Sequence, residues 1–271
     1  MKKIICENKK EIEKKIEEYI SQNKSMVILD TNKEYERQFK DAGYEVIKFD
    51  ISDLDNSVHY NPLFVAQKLF ENGDIDNAIE KIVCFGNLLF HSDDRMDPYW
   101  DNAARSVFIG ICLYILNNKR DLTLKEVIKV SNDEFDTMCD YINNLDVLNY
   151  MSVITSSVIN APLETKGGIL SVLRQNLGSF AHRPNLLNKI CVGKDFELKD
   201  HGQVILLTNF KQRTIFNIII EFSLINIINE MIDSGIEYRV ILDNYDSIIN
   251  KEEFNKIFDS YLSDHVECLI G

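Results

Sequence analysis

The chain has 271 residues, 45% of them hydrophobic, with a formal net charge of −13 and a pI near 4.9. That length supports a large core, organised as one main domain with an insertion. The acid excess argues against the chain alone gripping a nucleic-acid backbone, so no direct nucleic-acid binding is expected.

Taken from the amino terminus, Lys2–Cys6 (KKIIC) is a short strand and Glu7–Ile20 a charged helix with Ile12, Ile16 and Ile20 on one face. Ser25–Asp30 (SMVILD) is a buried strand with an Asp at its exit, and Glu34–Ala42 a helix closed by Gly43. Tyr44–Phe49 (YEVIKF) is the next strand, and strands alternating with helices at this spacing predict a parallel sheet. From Pro62 to about Phe180 the periodicity is helical almost throughout. Asp97-Pro98 opens one helix, Thr123–Glu126 forms a capping box for another, and Asp133–Leu145 and Leu163–Phe180 are two more. Strand patterning returns at Gln203–Thr208 (QVILLT), followed by a long buried helix over Lys211–Ser234. A strand at Arg239–Leu242, a helix over Lys251–Leu262 and a strand at His265–Ile270 complete the chain. The pattern is α/β: a mostly parallel sheet from residues 1–62 and 181–271, with an all-α insertion at 63–180.

The apolar runs Ser106–Leu116 and Ile215–Ile232 are too short or too interrupted by polar residues to span a bilayer. With no signal peptide apparent, the expectation is a cytoplasmic chain without a membrane span. Six cysteines (Cys6, Cys84, Cys112, Cys139, Cys191, Cys268) form no CxxC pair and read as reduced, buried thiols. The histidines His59, His91, His182, His201 and His265 lack ligand spacing, so no metal site is expected.

The stretch with most chemical content is Tyr238–Ile249, YRVILDNYDSII. Asp243 follows a short buried strand, where open α/β sheets place ligands and where P-loop NTPases hold Mg²⁺ through an acid. A cap in a plain strand-to-helix turn is the alternative. Asn244 stands where many such enzymes carry a catalytic Glu, and an amide cannot accept a proton at neutral pH.

Four stretches resemble a known family. Ser25–Asp30 through Glu34 resembles a strand ending in a DPKGE-type turn. Gly43-Tyr44-Glu45-Val46 followed by Tyr60-Asn61-Pro62-Leu63 resembles a "GY-V … YNPL" run. Asp97-Pro98-Tyr99-Trp100 with Ala103-Ala104 resembles a DPFW helix opening. Ala161–Thr165 with Gly167 and Gly168 resembles the segment returning from a helical domain. In this order they resemble the nucleotide-binding domain of TraG/TraD-like type IV secretion coupling proteins, over roughly residues 25–270. That resemblance implies a RecA-like, P-loop NTPase-like fold with an all-α insertion, Asp243 as a Walker B acid and Asp30 as a strand-end acid.

The departures imply a degenerate member. A phosphate loop needs G-x-x-x-x-G-K-[ST], because oriented backbone N–H groups cradle the phosphates. The corresponding place holds Glu7–Glu11 (ENKKE), without glycine, and the only Gly-Lys pair, Gly193-Lys194, lacks the rest of the pattern. The DPKGE-type turn has become Asp30-Thr31-Asn32-Lys33-Glu34, and the Walker B Glu has become Asn244. The family's amino-terminal membrane helices and the polar residue after its next strand are not expected in this chain.

Lesser candidates carry two readings each. Asp93, Asp94 and Asp97 with Arg95 bind a cation or form a solvated cap; Trp100 is an interface anchor or core. Lys166-Gly167-Gly168 is a phosphate nest or a close-packing site. Lys211 and Arg213 face a nucleotide or a neighbouring subunit, or are surface residues at a helix start. The expectation is a pseudo-ATPase component of a conjugative type IV secretion system, without cofactor, acting as an interaction or regulatory subunit. Its implied partners are a conjugation ATPase or further copies of the chain. An active NTPase motor subunit with an atypical phosphate loop and an unrelated α/β interaction module are the alternatives.

Overall fold

The computed structural model describes residues 2–5, 9–90, 97–249, 251–261 and 267–270. Two compact units result, residues 1–62 with 194–271 and residues 63–193.

The first unit is built on β1 (Lys2–Ile5), β2 (Ser25–Asp30), β3 (Glu45–Asp50), β4 (Gln203–Thr208), β5 (Tyr238–Asp243) and β6 (Glu267–Ile270). Their order is β1-β6-β5-β2-β4-β3 and every neighbouring pair is parallel. Cys6, His265 and Val266, expected at strand ends, lie outside the described residues. A parallel sheet is covered on both faces, which is why β2 and β4 are buried at all positions and read as unbroken apolar runs. On one face, α1 (Lys9–Ser21) contributes Ile12, Ile16 and Tyr19, and α2 (Glu36–Asp41) contributes Phe39, to a core with Met26, Ile28, Val204, Leu206 and Ile241. On the alternate positions Val27, Leu29, Ile205, Leu207, Val240 and Leu242 are equally buried. α11 (Asn217–Ser234) packs on β4 and on α12 (Lys251–Tyr261), and is buried over most of its length. Gly43 after α2 and Gly235 after α11 are left-handed, with φ of 78° and 67°, as helix ends favour.

α11 starts at Asn217 rather than at Lys211 as expected. The Asn217 amide donates to the carbonyl of Phe210 (2.9 Å) and accepts from its N–H (3.2 Å), so residues 211–216 close a polar loop instead of a first turn. The two crossings to the second unit run side by side in the first. Tyr60 and Lys194 form an antiparallel bridge, and Tyr60 stacks on Phe196 with ring centroids 5.9 Å apart. Asp195 accepts from His59 N at 2.8 Å, and Asn226 donates to the Pro62 carbonyl at 2.8 Å.

The second unit contains α3 (Phe64–Glu71), α4 (Ile75–Leu89), α5 (Tyr99–Asn117), α6 (Leu124–Asp133), α7 (Phe135–Asn143), α8 (Tyr150–Ile159), α9 (Leu163–Ala181) and α10 (Pro184–Ile190), with no strand among the described residues. α5 is its axis: every residue from Val107 to Leu116 is buried, against α4, α6, α8 and α9. Thr123 caps α6 by accepting from Glu126 N at 3.2 Å, whereas the Glu126 carboxylate pairs with Arg120 instead of reaching back to the cap. The unit ends after Gly193 rather than at 180, because α10 packs against α9 and α6. Among the described residues, no helix is long and apolar enough to cross a membrane.

Candidate functional site

All strands of a parallel sheet deliver their carboxyl ends to one edge, and here that edge is acidic. Asp30 of β2 and Asp243 of β5 are partners in register, and Asp50 of β3 is the partner of Thr208 on β4. The turn leaving β2 wraps around Asp30, whose carboxylate accepts from Glu34 N (2.9 Å) and Tyr35 N (3.3 Å). The Tyr35 hydroxyl then donates to Asp243 Oδ2 at 2.9 Å. Burial, with Asp243 and Asp50 adding to it, pushes the Asp30 carboxyl up to about 6. Burial and the neighbouring Asp243 hold the Tyr35 phenol above its ordinary value, so it stays a donor.

Lys33 in the same turn has φ of 60°, the left-handed conformation that glycine adopts most readily. It stands at the Gly position of the DPKGE-type turn, in a conformation where glycine would sit without strain. Its ammonium lies 2.7 Å from Asp50 Oδ2, while Asp50 Oδ1 accepts from Ser52 N (2.8 Å) and Asp53 N (3.0 Å). Glu34 forms an ion pair with Lys9 at the start of α1.

Asn244 is also left-handed, with φ of 65°, which Asn tolerates better than most residues. Its carbonyl accepts from Ser247 N (2.9 Å), closing a short 3₁₀ turn, Tyr245–Ser247. Behind it lies a buried polar knot that the sequence reading missed. Thr31 Oγ1 donates to Asn209 Oδ1 (2.7 Å), Asn209 Nδ2 donates to Ser247 Oγ (3.0 Å), and Thr31 and Ser247 oxygens are 3.3 Å apart. Thr31 and Asn209 directly follow β2 and β4, where a short polar residue after each strand was the available signal, whereas Ser247 lies four residues beyond β5 in the 3₁₀ turn. Glu221, within the apolar run Ile215–Ile232, is buried in α11 and accepts from Ile249 N at 2.8 Å. Its other oxygen has no hydrogen-bond partner among the described residues, and burial pushes its carboxyl up to about 7.

The edge therefore brings Asp30 and Asp243 together and leaves Asn244 beside them. Glu7 and Asn8, in the expected phosphate-loop position, and Asp93, Asp94 and Arg95 lie outside the described residues. Arg213 does not stand at a helix start, since its Nε donates to the Asp246 carbonyl at 2.9 Å. Lys211 is exposed in the same loop. Trp100 is not core: it is 39% exposed and lies over Gly168, where an added Cβ would come within 2.7 Å of the ring. Gly168 is thus a close-packing site and Gly167, with nothing within 4 Å, is not. Among the described residues no group of three or more His, Cys, Asp or Glu is arranged to hold a metal ion.

A parallel sheet with acids at its carboxyl edge and an all-helical insertion between β3 and β4 is a P-loop NTPase-like α/β arrangement. The family model described as type IV secretory system conjugative DNA transfer matches residues 15–234, and the chain belongs to that family. The match ends before β5, so it does not include Asp243. No curated protein sequence matches the chain. Among solved structures, VirB4 of Thermoanaerobacter pseudethanolicus is similar in fold, with a TM-score of 0.56 and 12% identity over 99% of this chain and 94% of that one. An unrelated interaction module is thereby set aside.

Proposed function

We propose that the chain is a degenerate, coupling-protein-like component of a conjugative type IV secretion system. In this reading it is a cytoplasmic pseudo-ATPase that serves as an interaction or regulatory subunit. One observation carries the proposal: Asp243, the acid at the Walker B position, accepts the Tyr35 hydroxyl and lies beside the register-paired, buried Asp30. Magnesium in such sites relies on nucleotide phosphates for part of its shell, and those need oriented N–H groups and a Lys. The segment Glu7–Glu11 offers no glycine for such a cradle and two carboxylates that repel phosphate. Asn244 supplies no base to activate water. The partners in this reading are a conjugation ATPase or further copies of the chain.

Titration calorimetry and thermal shift with ATP and Mg²⁺ test it. No heat of binding and no shift in Tm are expected, and Asp243→Ala loses stability only, by about 1–3 kcal/mol, because it strands the Tyr35 hydroxyl. Saturable ATP binding tighter than about 100 μM that Asp243→Ala abolishes would install the active-NTPase reading instead.

A further inference from the structure

From Val130 to Thr165 the chain has no Lys or Arg, while Asp133, Asp136, Asp140, Asp146 and Glu164 fall in that interval beside Glu134, which is paired with Arg120 and Lys129. The stretch spans α7, α8 and the turn between them. Asp136 and Asp140, one helical turn apart on α7, are both exposed. In the turn Val147 is 81% exposed and Leu148 is 85% exposed; Val153, on the first turns of α8, is 57% exposed. These side chains are displayed by an ordered backbone. Asp146 Oδ1 accepts from Leu148 N at 2.8 Å, Asn149 N donates to the Asp146 carbonyl at 2.9 Å, and Asn149 Oδ1 caps α8 by accepting from Met151 N at 2.9 Å. An isolated exposed aliphatic is ordinary, but adjacent ones held out by a hydrogen-bonded turn, with Asp146 in that turn and exposed Asp136 and Asp140 on the preceding helix, form a surface with definite chemistry.

We infer that the α7–α8 turn and the first turns of α8 dock a cationic amphipathic segment of a partner protein, a helix with an apolar stripe flanked by Lys or Arg. Its apolar stripe covers Val147, Leu148 and Val153, and its basic flanks meet Asp136, Asp140 and Asp146. Charge decides among occupants. A second copy using the same face would set carboxylates against carboxylates, and nucleic acid or an anionic bilayer would be repelled. This names a partner chemistry for the interaction-subunit reading, yet it stands on the helical unit alone, so nucleotide titration and peptide binding fail independently.

The probe is a fluorescein-labelled amphipathic Leu/Lys helical peptide, titrated into the full chain by anisotropy, with a Leu/Glu peptide of identical pattern as control. Binding of the Leu/Lys peptide alone is expected, weakened about tenfold by the charge-neutral pair Val147→Ser/Leu148→Ser. Asp140→Asn/Asp146→Asn is expected to weaken it and to reduce its salt dependence, while Glu13→Gln/Glu17→Gln on α1 leaves it unchanged. All these side chains are exposed, so unchanged Tm confirms that the variants fold. Equal affinity for the parent and Val147→Ser/Leu148→Ser, or equal weakening by the α1 pair, would overturn the site in favour of net-charge attraction. Self-association in sedimentation that Val147→Ser/Leu148→Ser abolishes would overturn it in favour of an interface between copies.

Discussion

Replacing Tyr35 by Phe removes one hydroxyl and takes from the Asp243 carboxylate its donor. A buried acceptor left without a partner costs about 1–3 kcal/mol, so the urea midpoint of Tyr35→Phe is expected to fall at constant m; an unmoved midpoint would deny the bond any structural weight. Lys33 offers a reversed comparison. Lys33→Gly and Lys33→Ala both lose the ion pair to Asp50, but only Gly suits φ of 60°. Lys33→Gly should therefore be the more stable of the two by about 1 kcal/mol, opposite to the usual order of Gly and Ala. Asp30 and Glu221 bear on pH. Their folded-state values of about 6 and about 7 lie above the ordinary carboxylate values of 3.8 and 4.5. At these two groups the folded chain thus holds more protons than the unfolded one, so the stability they contribute is complete below about pH 4 and is lost as pH rises through about 6 to 7. Asp30→Asn and Glu221→Gln should each flatten that part of the profile relative to the parent, by roughly 1–3 kcal/mol in denaturation measured from pH 4 to 8. Parallel profiles would show that these carboxyls titrate normally.

At the scale of elements, α5 and α8 approach closely at Gly110. A Cβ on Gly110 would lie 2.4 Å from Thr155 Cγ2, and Thr155 is itself buried and donates to the Met151 carbonyl at 2.7 Å. Gly110→Ala is expected to destabilise by about 1–3 kcal/mol, because overpacking outweighs the helix propensity gained. Gly167→Ala in α9 meets open space and should instead stabilise by up to about 1 kcal/mol. Differential scanning calorimetry that moves both variants in the same direction would refute the assignment of Gly110 as a packing site.

At the scale of the whole chain, the Tyr60–Lys194 bridge brings the two crossings to within about 5 Å of each other, the spacing of antiparallel partners. Joining Pro62 to Lys194 through a short Gly/Ser linker should therefore leave the α/β unit folded without residues 63–193. A single cooperative thermal transition by circular dichroism is expected, and a non-cooperative melt would show that the helical unit is required for that fold.

Alternation of buried strands with helices, and the change to helical period after Pro62, were written in local residue order. They were sufficient for the parallel sheet and the all-helical second unit, because burial on both sheet faces forces unbroken apolar runs such as SMVILD and QVILLT. The family was legible too, since short motifs in a fixed order survive where single residues do not. Asp30 and Asp243 were visible as strand-end acids, but nothing local to either says that they are register partners. Tyr35 could not be assigned to Asp243, nor Thr31 to Asn209 and Ser247, because those bonds join residues about two hundred positions apart in sequence. Sequence order determined which strands exist. Only the crossing of the chain through β4 and β5, on either side of β2, decided which polar groups meet at their ends and hold one another's hydrogen bonds.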